Sequence, residues 1–413
     1  MLDIKFVREN ADKMQQDAKN KGYKVNIKEL LKCDDDRRVL QQSVDAARSL
    51  RNGIAAQMKS GKPDEKLIKE GKRIKEDLVG LEQQLREADA KFQALLSSVP
   101  NLLSPDTPIG GEEDSVEIKA WGEKKSGAKD HLDFAVQRDW VDFERGAKVA
   151  GTKFYYLKGE LAELEMALLQ FGIGKIREAG FTLMDVPYMV SERIMTGTGF
   201  TPRTSDQSDQ YCIEGEDLEM IATAEISLTG YHADEIIEEK DLPKFYAGWS
   251  PCFRKEAGAA GQHTRGLFRV HQFNKLEMYA FCTPEQSADI HEKILATEES
   301  IWQELKIPYR VINIASGDMG SPAYKKYDVE YWSPVDDVYR ELTSCSNCTD
   351  YQARNLNIRV RRANGKIEIL HTLNGTAVSM ARTLVAILEN YQEGDKLVIP
   401  EALRKFMGGR EKI

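Results

Sequence analysis

Between Leu40 and Met58 the apolar positions Leu40, Val44, Ala47, Ile54 and Met58 keep a four-three spacing, with Arg51 in the slot where another apolar residue would fall. From Ile74 the seam is unbroken: Ile74, Leu78, Leu81, Leu85, Ala88, Phe92 and Leu95 alternate steps of four and three, the heptad rule for one helix lying along another. Between the two runs stand Ser60, Gly61, Lys62, Pro63 and Asp64, a turn rich in helix breakers. The pattern predicts two long helices, about residues 30–97, folded into an antiparallel hairpin. After Val99 the chain reads PNLLSPDTPIGGEEDS, which is linker chemistry, and the domain boundary is expected there, dividing 1–105 from 106–413. Beyond it, KFYYLKG, FTLMDVPYMV, LFRVHQFNKLEMYAFC and KIEILHTLN are rich in aromatic and β-branched residues, as strands are. Helical stretches are expected at Glu160 to Glu178, Pro284 to Leu305 and Ala377 to Asn390. Strands that follow one another with few helices between them predict an α+β fold with an antiparallel sheet packed by helices.

Composition narrows the function classes. A chain of 413 residues with 41% hydrophobic residues supports a sizeable core and more than one domain. The net charge of −9, from 67 acidic against 58 basic side chains, argues against a globally basic coat for nucleic acid. Residues 31–100 run the other way, with 14 Lys and Arg against 12 Asp and Glu, a net of +2. That suits an arm lying on phosphate backbone, and equally a solvated helical face or a dimerisation arm. The six cysteines form no regular framework, and a chain of this size needs no disulfide staples, so a reducing compartment, the cytoplasm, is expected. The start, MLDIKFVREN, lacks an apolar signal core, and no window approaches a membrane span.

Three segments carry chemistry. Phe253 to Glu277, FRKEAGAAGQHTRGLFRVHQFNKLE, reads as strand, Gly/Ala-rich loop with Arg265, and strand. Arg254 and Glu277 then face inward, a platform for an anionic substrate, because arginine offers a planar fork of donors to phosphate or carboxylate. Plain cross-strand pairing of Arg and Glu is the structural alternative. In Tyr339 to Cys348, YRELTSCSNC, Glu341 and Ser344 are hard oxygen donors suited to magnesium on a nucleotide. Cys345 and Cys348 alone make a weak zinc motif and are read as structural. HTLNGTAVSMARTLVAILENYQ, from His371, reads as a strand running into an amphipathic helix with Arg382 in its second turn. There Thr376 could serve only as an N-cap, and Arg382 only as a surface charge.

Taken together, in this order and behind a helical hairpin, these segments closely resemble the seryl-tRNA synthetase family over nearly the whole chain. TAE at Thr223 to Glu225 is similar to that family's serine-binding triplet, and FRKEAGAAGQHTRGLFRVHQFNKLE to its class II motif 2, about 250–280. ELTSCSNC, DYQAR and HTLNGT with RTLVAILENYQ resemble the adenylate and motif 3 regions, motif 3 covering about 370–392. The helix from Glu160 and the strand ending in Pro187 resemble motif 1, about 160–190, which builds the homodimer interface in class II enzymes. The resemblance implies a class II catalytic domain that attaches L-serine to tRNA(Ser), and to tRNA(Sec) where that tRNA exists, through seryl-adenylate with ATP and Mg2+. It implies that Arg254 holds the α-phosphate and the serine carboxylate, that Glu256 reads the adenine amino group beside Lys255, and that Phe273 stacks on adenine next to the Val270 backbone. Glu341, Leu342, Thr343 and Ser344 line the nucleotide, with Glu341 and Ser344 holding Mg2+ through ATP, and Arg382 clamps the terminal phosphate. Thr223, Ala224, Glu225, Glu277 and Thr376 hold serine. Arg254, Glu341 and Arg382 are the catalytic set, and the hairpin grips tRNA; no DNA and no membrane are implied.

The chain departs from the family pattern in places. Ala381 precedes Arg382 where glycine is usual, and Gln262 and His263 replace the common Arg and Asp of the motif 2 loop, which bears on acceptor-end recognition. The rival readings are a synthetase-derived tRNA- or protein-binding paralogue without catalysis, a ligase loading a carrier protein, and a purely structural coiled coil. The first predicts a lost motif arginine or substrate carboxylate, the second a shortened hairpin, and the third explains nothing after the first hundred residues.

Overall fold

The computed structural model describes residues 3–60, 65–200, 210–256 and 265–413, the side chain of residue 60 excepted. The chain forms two compact units, Met1–Pro100 and Asn101–Ile413.

In the first unit two short helices, Ile4–Glu9 and Ala11–Asn20, precede α1 (Ile27–Ser60) and α2 (Glu65–Ser97). The seam read from the sequence is the one that packs: Val44, Leu78 and Leu85 are buried together, with Leu40, Ala47 and Leu81 against them. The antiparallel register shows in the pairs that cross it, Lys91 with Glu29 at 3.2 Å, Arg37 with Asp89 at 3.3 Å and Arg48 with Glu82 at 2.9 Å. Arg51 leaves the seam, exposed, and bonds Asn52 Oδ1 at 3.1 Å. Asp34 is wholly buried, which a carboxylate tolerates only when paired; Arg8 at 2.8 Å and Arg37 and Arg38 at 3.0 Å meet it and tie the first short helix to α1. Residues 61–64 of the expected turn lie outside the described residues.

The second unit is built on an eight-stranded sheet. Its strands in chain order are β1 (Val116–Trp121), β2 (Thr182–Asp185), β3 (Lys244–Phe253), β4 (Gln272–Cys282), β5 (Tyr309–Asn313), β6 (Lys325–Ser333), β7 (Val338–Thr349) and β8 (His371–Ser379). Their spatial order is β1-β5-β6-β7-β8-β4-β3-β2. Every neighbouring pair is antiparallel except β2 with β3, so the α+β fold expected from the sequence is the fold observed. Along β4 the two faces alternate: Leu276, Met278, Ala280 and Cys282 join one hydrophobic cluster, Tyr279 and Phe281 another. A strand covered on both sides reads as a continuous apolar run. The first cluster holds the helices α3 (Gly159–Glu178), α5 (Ser287–Glu304) and α6 (Met380–Asn390), and the second holds α4 (Ala224–Gly230).

The third predicted helix starts later than its sequence suggests. Ala377 to Ser379 belong to β8, and the helix opens at Met380, which puts Arg382 in the first turn instead of the second. Ala377 and Val378 are fully buried strand residues, and burial within the sheet outweighs their place in an apolar helical pattern. Thr376 is therefore a strand residue and not an N-cap; Ser379 occupies that position.

Candidate active site

β3 and β4 pair in register from Phe253 opposite Gln272, which sets Arg254 at the mouth of the sheet, its backbone N–H donating to His271 O at 3.0 Å. The guanidinium lies 5.2 Å from the centre of the Phe273 ring, and Nε donates to Ala222 O at 3.4 Å. Phe273, Lys275 and Glu277 occupy alternate positions of β4 and so share a face. Lys275 Nζ meets Glu277 Oε2 at 2.6 Å, both groups nearly buried, and the Thr376 hydroxyl across the pairing on β8 donates to the same oxygen at 3.1 Å. From β7 Glu341 enters, and from the first turn of α6 Arg382, their charges 2.7 Å apart.

Arg254, Phe273, Lys275, Glu341, Thr376 and Arg382 line one cleft that is open to solvent; Glu277, almost wholly buried, is tied to its wall through Lys275 and Thr376. Arg254, Glu256, Val270, Phe273, Glu341 to Ser344, Thr376 and Arg382 are all in its wall. Lys255 is not; it is exposed with its ammonium 5.6 Å from the Tyr211 ring. Glu256 has a left-handed backbone, φ 52°, and its carboxylate pairs with Arg269. Ala381 lines the same wall. Gln262 and His263 lie outside the described residues.

Thr223 to Glu225 open α4 beside this wall. The Thr223 hydroxyl caps the helix by accepting from Glu225 N at 3.3 Å, and Ala224 is buried against Gly248 of β3. Glu225 is almost wholly buried, with Oε1 accepting from Gln352 Nε2 and Asn374 Nδ2, both at 2.8 Å. Burial and the neighbouring Glu277 charge push its carboxyl up to about 7, against the Gln352 bond and the Lys275 and Arg254 charges. Glu341 goes the other way. Burial opposes its ionisation, but Arg382 and Lys326 outweigh that and hold it below the usual carboxylate range.

Sequence reasoning missed Lys275, Phe268 and Arg269 of the cleft wall, and the amides of Gln352 and Asn374 on Glu225. Lys275 was legible, since it falls between Phe273 and Glu277 in a period-two strand. Phe268 carries the Arg382 guanidinium 5.2 Å from its ring centre, a contact between segments more than a hundred residues apart that leaves no local signal. Cys345 and Cys348 are both buried in β7, and all six cysteines of the chain are free thiols.

Comparison with known proteins gives the same answer over the whole length. A family model described as the tRNA synthetase class II core domain (G, H, P, S and T) matches residues 210–391, and one described as the seryl-tRNA synthetase N-terminal domain matches residues 1–103. The serine–tRNA ligase of Dictyoglomus turgidum is 47% identical over 99% of this chain and 98% of its own, and that of Treponema denticola 44% over 99% of each. Among solved structures, seryl-tRNA synthetase from Pyrococcus horikoshii complexed with ATP superimposes with a TM-score of 0.90 at 40% identity, covering 100% of this chain and 99% of that one. The cytoplasmic serine–tRNA ligase of Naegleria fowleri in complex with AMP gives 0.86 at 29% identity, covering 100% and 98%. With sequence identity sustained from end to end, over both the hairpin and the sheet that carries the cleft, this chain belongs to the seryl-tRNA synthetase family of class II aminoacyl-tRNA synthetases.

Proposed function

We propose that the protein attaches L-serine to tRNA(Ser) in two steps through seryl-adenylate, with ATP as the energy source. The observation that carries this reading is the convergence of two arginines, a Lys–Glu pair and a threonine hydroxyl in one cleft. In the first step the serine carboxylate attacks the α-phosphorus in line and pyrophosphate leaves. A carboxylate needs no general base, so the site has to supply alignment and positive charge. Arg254 serves the α-phosphate and the serine carboxylate, and Arg382 the terminal phosphate. Adenine stacks on Phe273 beside the Val270 backbone, with Glu256 at its edge; Lys255, outside the cleft wall, takes no part in this reading. The serine hydroxyl and ammonium fall to Glu277, Thr376, Thr223 and Glu225, with Ala224 offering backbone. A hydroxyl held by buried partners discriminates strongly, because an analogue without it leaves those partners unpaired. In the second step the terminal ribose hydroxyl of tRNA attacks the adenylate carbonyl, its proton passing to an oxygen of the adenylate phosphate, and AMP leaves as the acyl–phosphate bond breaks.

The wall residues fit magnesium. Glu341 and Ser344 are hard oxygen donors on one strand, and among the described residues no group of three or more acidic, His or Cys side chains forms a protein-only metal site. That matches an ion that takes one or two protein carboxylates and fills its shell with phosphate and water. When bound, it neutralises phosphate charge on the leaving pyrophosphate.

The hairpin of α1 and α2 is the arm for tRNA, held by phosphate contacts and shape, and tRNA(Sec) is a further acceptor where it exists. The molecule works as a cytoplasmic homodimer through the motif 1 elements α3 and β2, where Met166 and Leu183 expose apolar side chains. The motif arginines and substrate-side carboxylates that a non-catalytic paralogue would lose are all present. The test is serine-dependent exchange of pyrophosphate into ATP without tRNA, with threonine, alanine and cysteine as controls and Arg254→Ala as the dead variant. Exchange with serine alone, abolished in Arg254→Ala with the fold intact, supports the reading. No exchange from a folded protein, or near-normal exchange in the variant, overturns it.

A further inference from the structure

Gln352 is fully buried, on the short helix Tyr351–Asn355 that follows β7. Its amide is saturated on both ends. Oε1 accepts from the Tyr279 hydroxyl and from the Thr372 hydroxyl, each at 2.8 Å. Nε2 donates to Thr198 O at 3.0 Å and to Glu225 Oε1 at 2.8 Å. This arrangement settles which end of the amide points where, since two hydroxyl donors demand the oxygen while a carbonyl and a carboxylate demand the nitrogen. Asn374 donates to the same Glu225 oxygen at 2.8 Å. Among the described residues both amides converge on Oε1, and Oε2 takes no hydrogen bond.

We propose that Gln352 is a positioning residue for serine selection: clamped by Tyr279 and Thr372, it holds one oxygen of Glu225 so that the other presents negative charge to the substrate ammonium. The inference rests on the reading of Glu225 as an ammonium partner, and deepens it. Without such a clamp a glutamate has two free side-chain torsions beyond its stem, and holding them costs entropy at the moment of binding. With it, the cost is met on folding. The amide donor also favours the ionised carboxylate against burial and against Glu277, which is the form an ammonium requires.

The test is steady-state pyrophosphate exchange with the full-length protein and two variants of similar side-chain size, Gln352→Met and Gln352→Glu. Loss of a donor to a charged group is expected to raise the serine KM roughly tenfold or more, with the ATP KM and kcat changed far less. The acid limb of kcat/KM for serine is expected to move to higher pH in both variants, because Glu225 loses a partner that favours its charge. A defect confined to folding would lower the thermal midpoint and the active fraction without splitting the two KM values or moving the limb. Unchanged serine KM and an unchanged limb in either folded variant would overturn the proposal. Absence of serine-dependent exchange in the parent protein would instead overturn the function itself, so the two failures are distinguishable.

Discussion

Glu225 lies buried within reach of a second carboxylate, Glu277, and its pKa of about 7 against an ordinary 4.5 carries two consequences. A carboxyl raised on folding binds its proton more tightly in the folded state, so its contribution to stability is lost as pH rises from about 4.5 through 7. A bound ammonium reverses that preference by pairing with the charged form. The kcat/KM for serine is therefore expected to fall as pH drops below about 7, with little change in the ATP KM, in exchange assays from about pH 5.5 to 8.5. A flat profile would remove Glu225 from the ammonium site. Gly375 belongs to the same scale. A Cβ there would stand 2.3 Å from Ile294 Cγ2, 2.8 Å from Glu298 Oε1 and 3.0 Å from Cys345 Cβ. Gly375→Ala is expected to destabilise by roughly 1–3 kcal/mol in urea unfolding, the usual range for an overpacked core. It should also weaken serine activation, since β8 carries Thr376 one residue on.

At the scale of elements, α1 and α2 form a hairpin whose apolar seam is narrow and whose flanks are charged. The cleft lies wholly on residues of the second unit. Deleting residues 37–95 is accordingly expected to leave serine-dependent pyrophosphate exchange near the parent rate while abolishing tRNA charging. Unaffected charging would refute the arm's role. β4 shows how an element serves fold and site together: its buried far half is locked on both faces, and in its near half Phe273 and Lys275 line the cleft while Leu276 packs into the core on the other face. Elements of this kind hold side chains more tightly than loops do.

At the scale of the whole molecule, β2 is an edge strand of the sheet, with Leu183 42% exposed, and α3 exposes Met166 at 51%. Open sheet edges are ordinarily blunted or covered. For the proposed homodimer, Met166→Arg with Leu183→Arg is expected to run as a monomer in sedimentation velocity where the parent runs as a dimer; a variant that stays dimeric would place the interface elsewhere, and a monomeric parent would remove the proposal. The hairpin and the antiparallel sheet were determined by the sequence, which also singled out Arg254, Glu277, Glu341 and Arg382 for the site proposed above, because heptad spacing, strand alternation and dense local motifs are short-range signals. The tertiary structure alone decided that Thr376 and Ala377 to Ser379 are strand, that Lys255 turns away from the cleft, and that Gln352 and Asn374 meet Glu225. Each depends on burial or on pairing between segments far apart in the chain, and such energies belong to packing in three dimensions, which no local pattern of residues records.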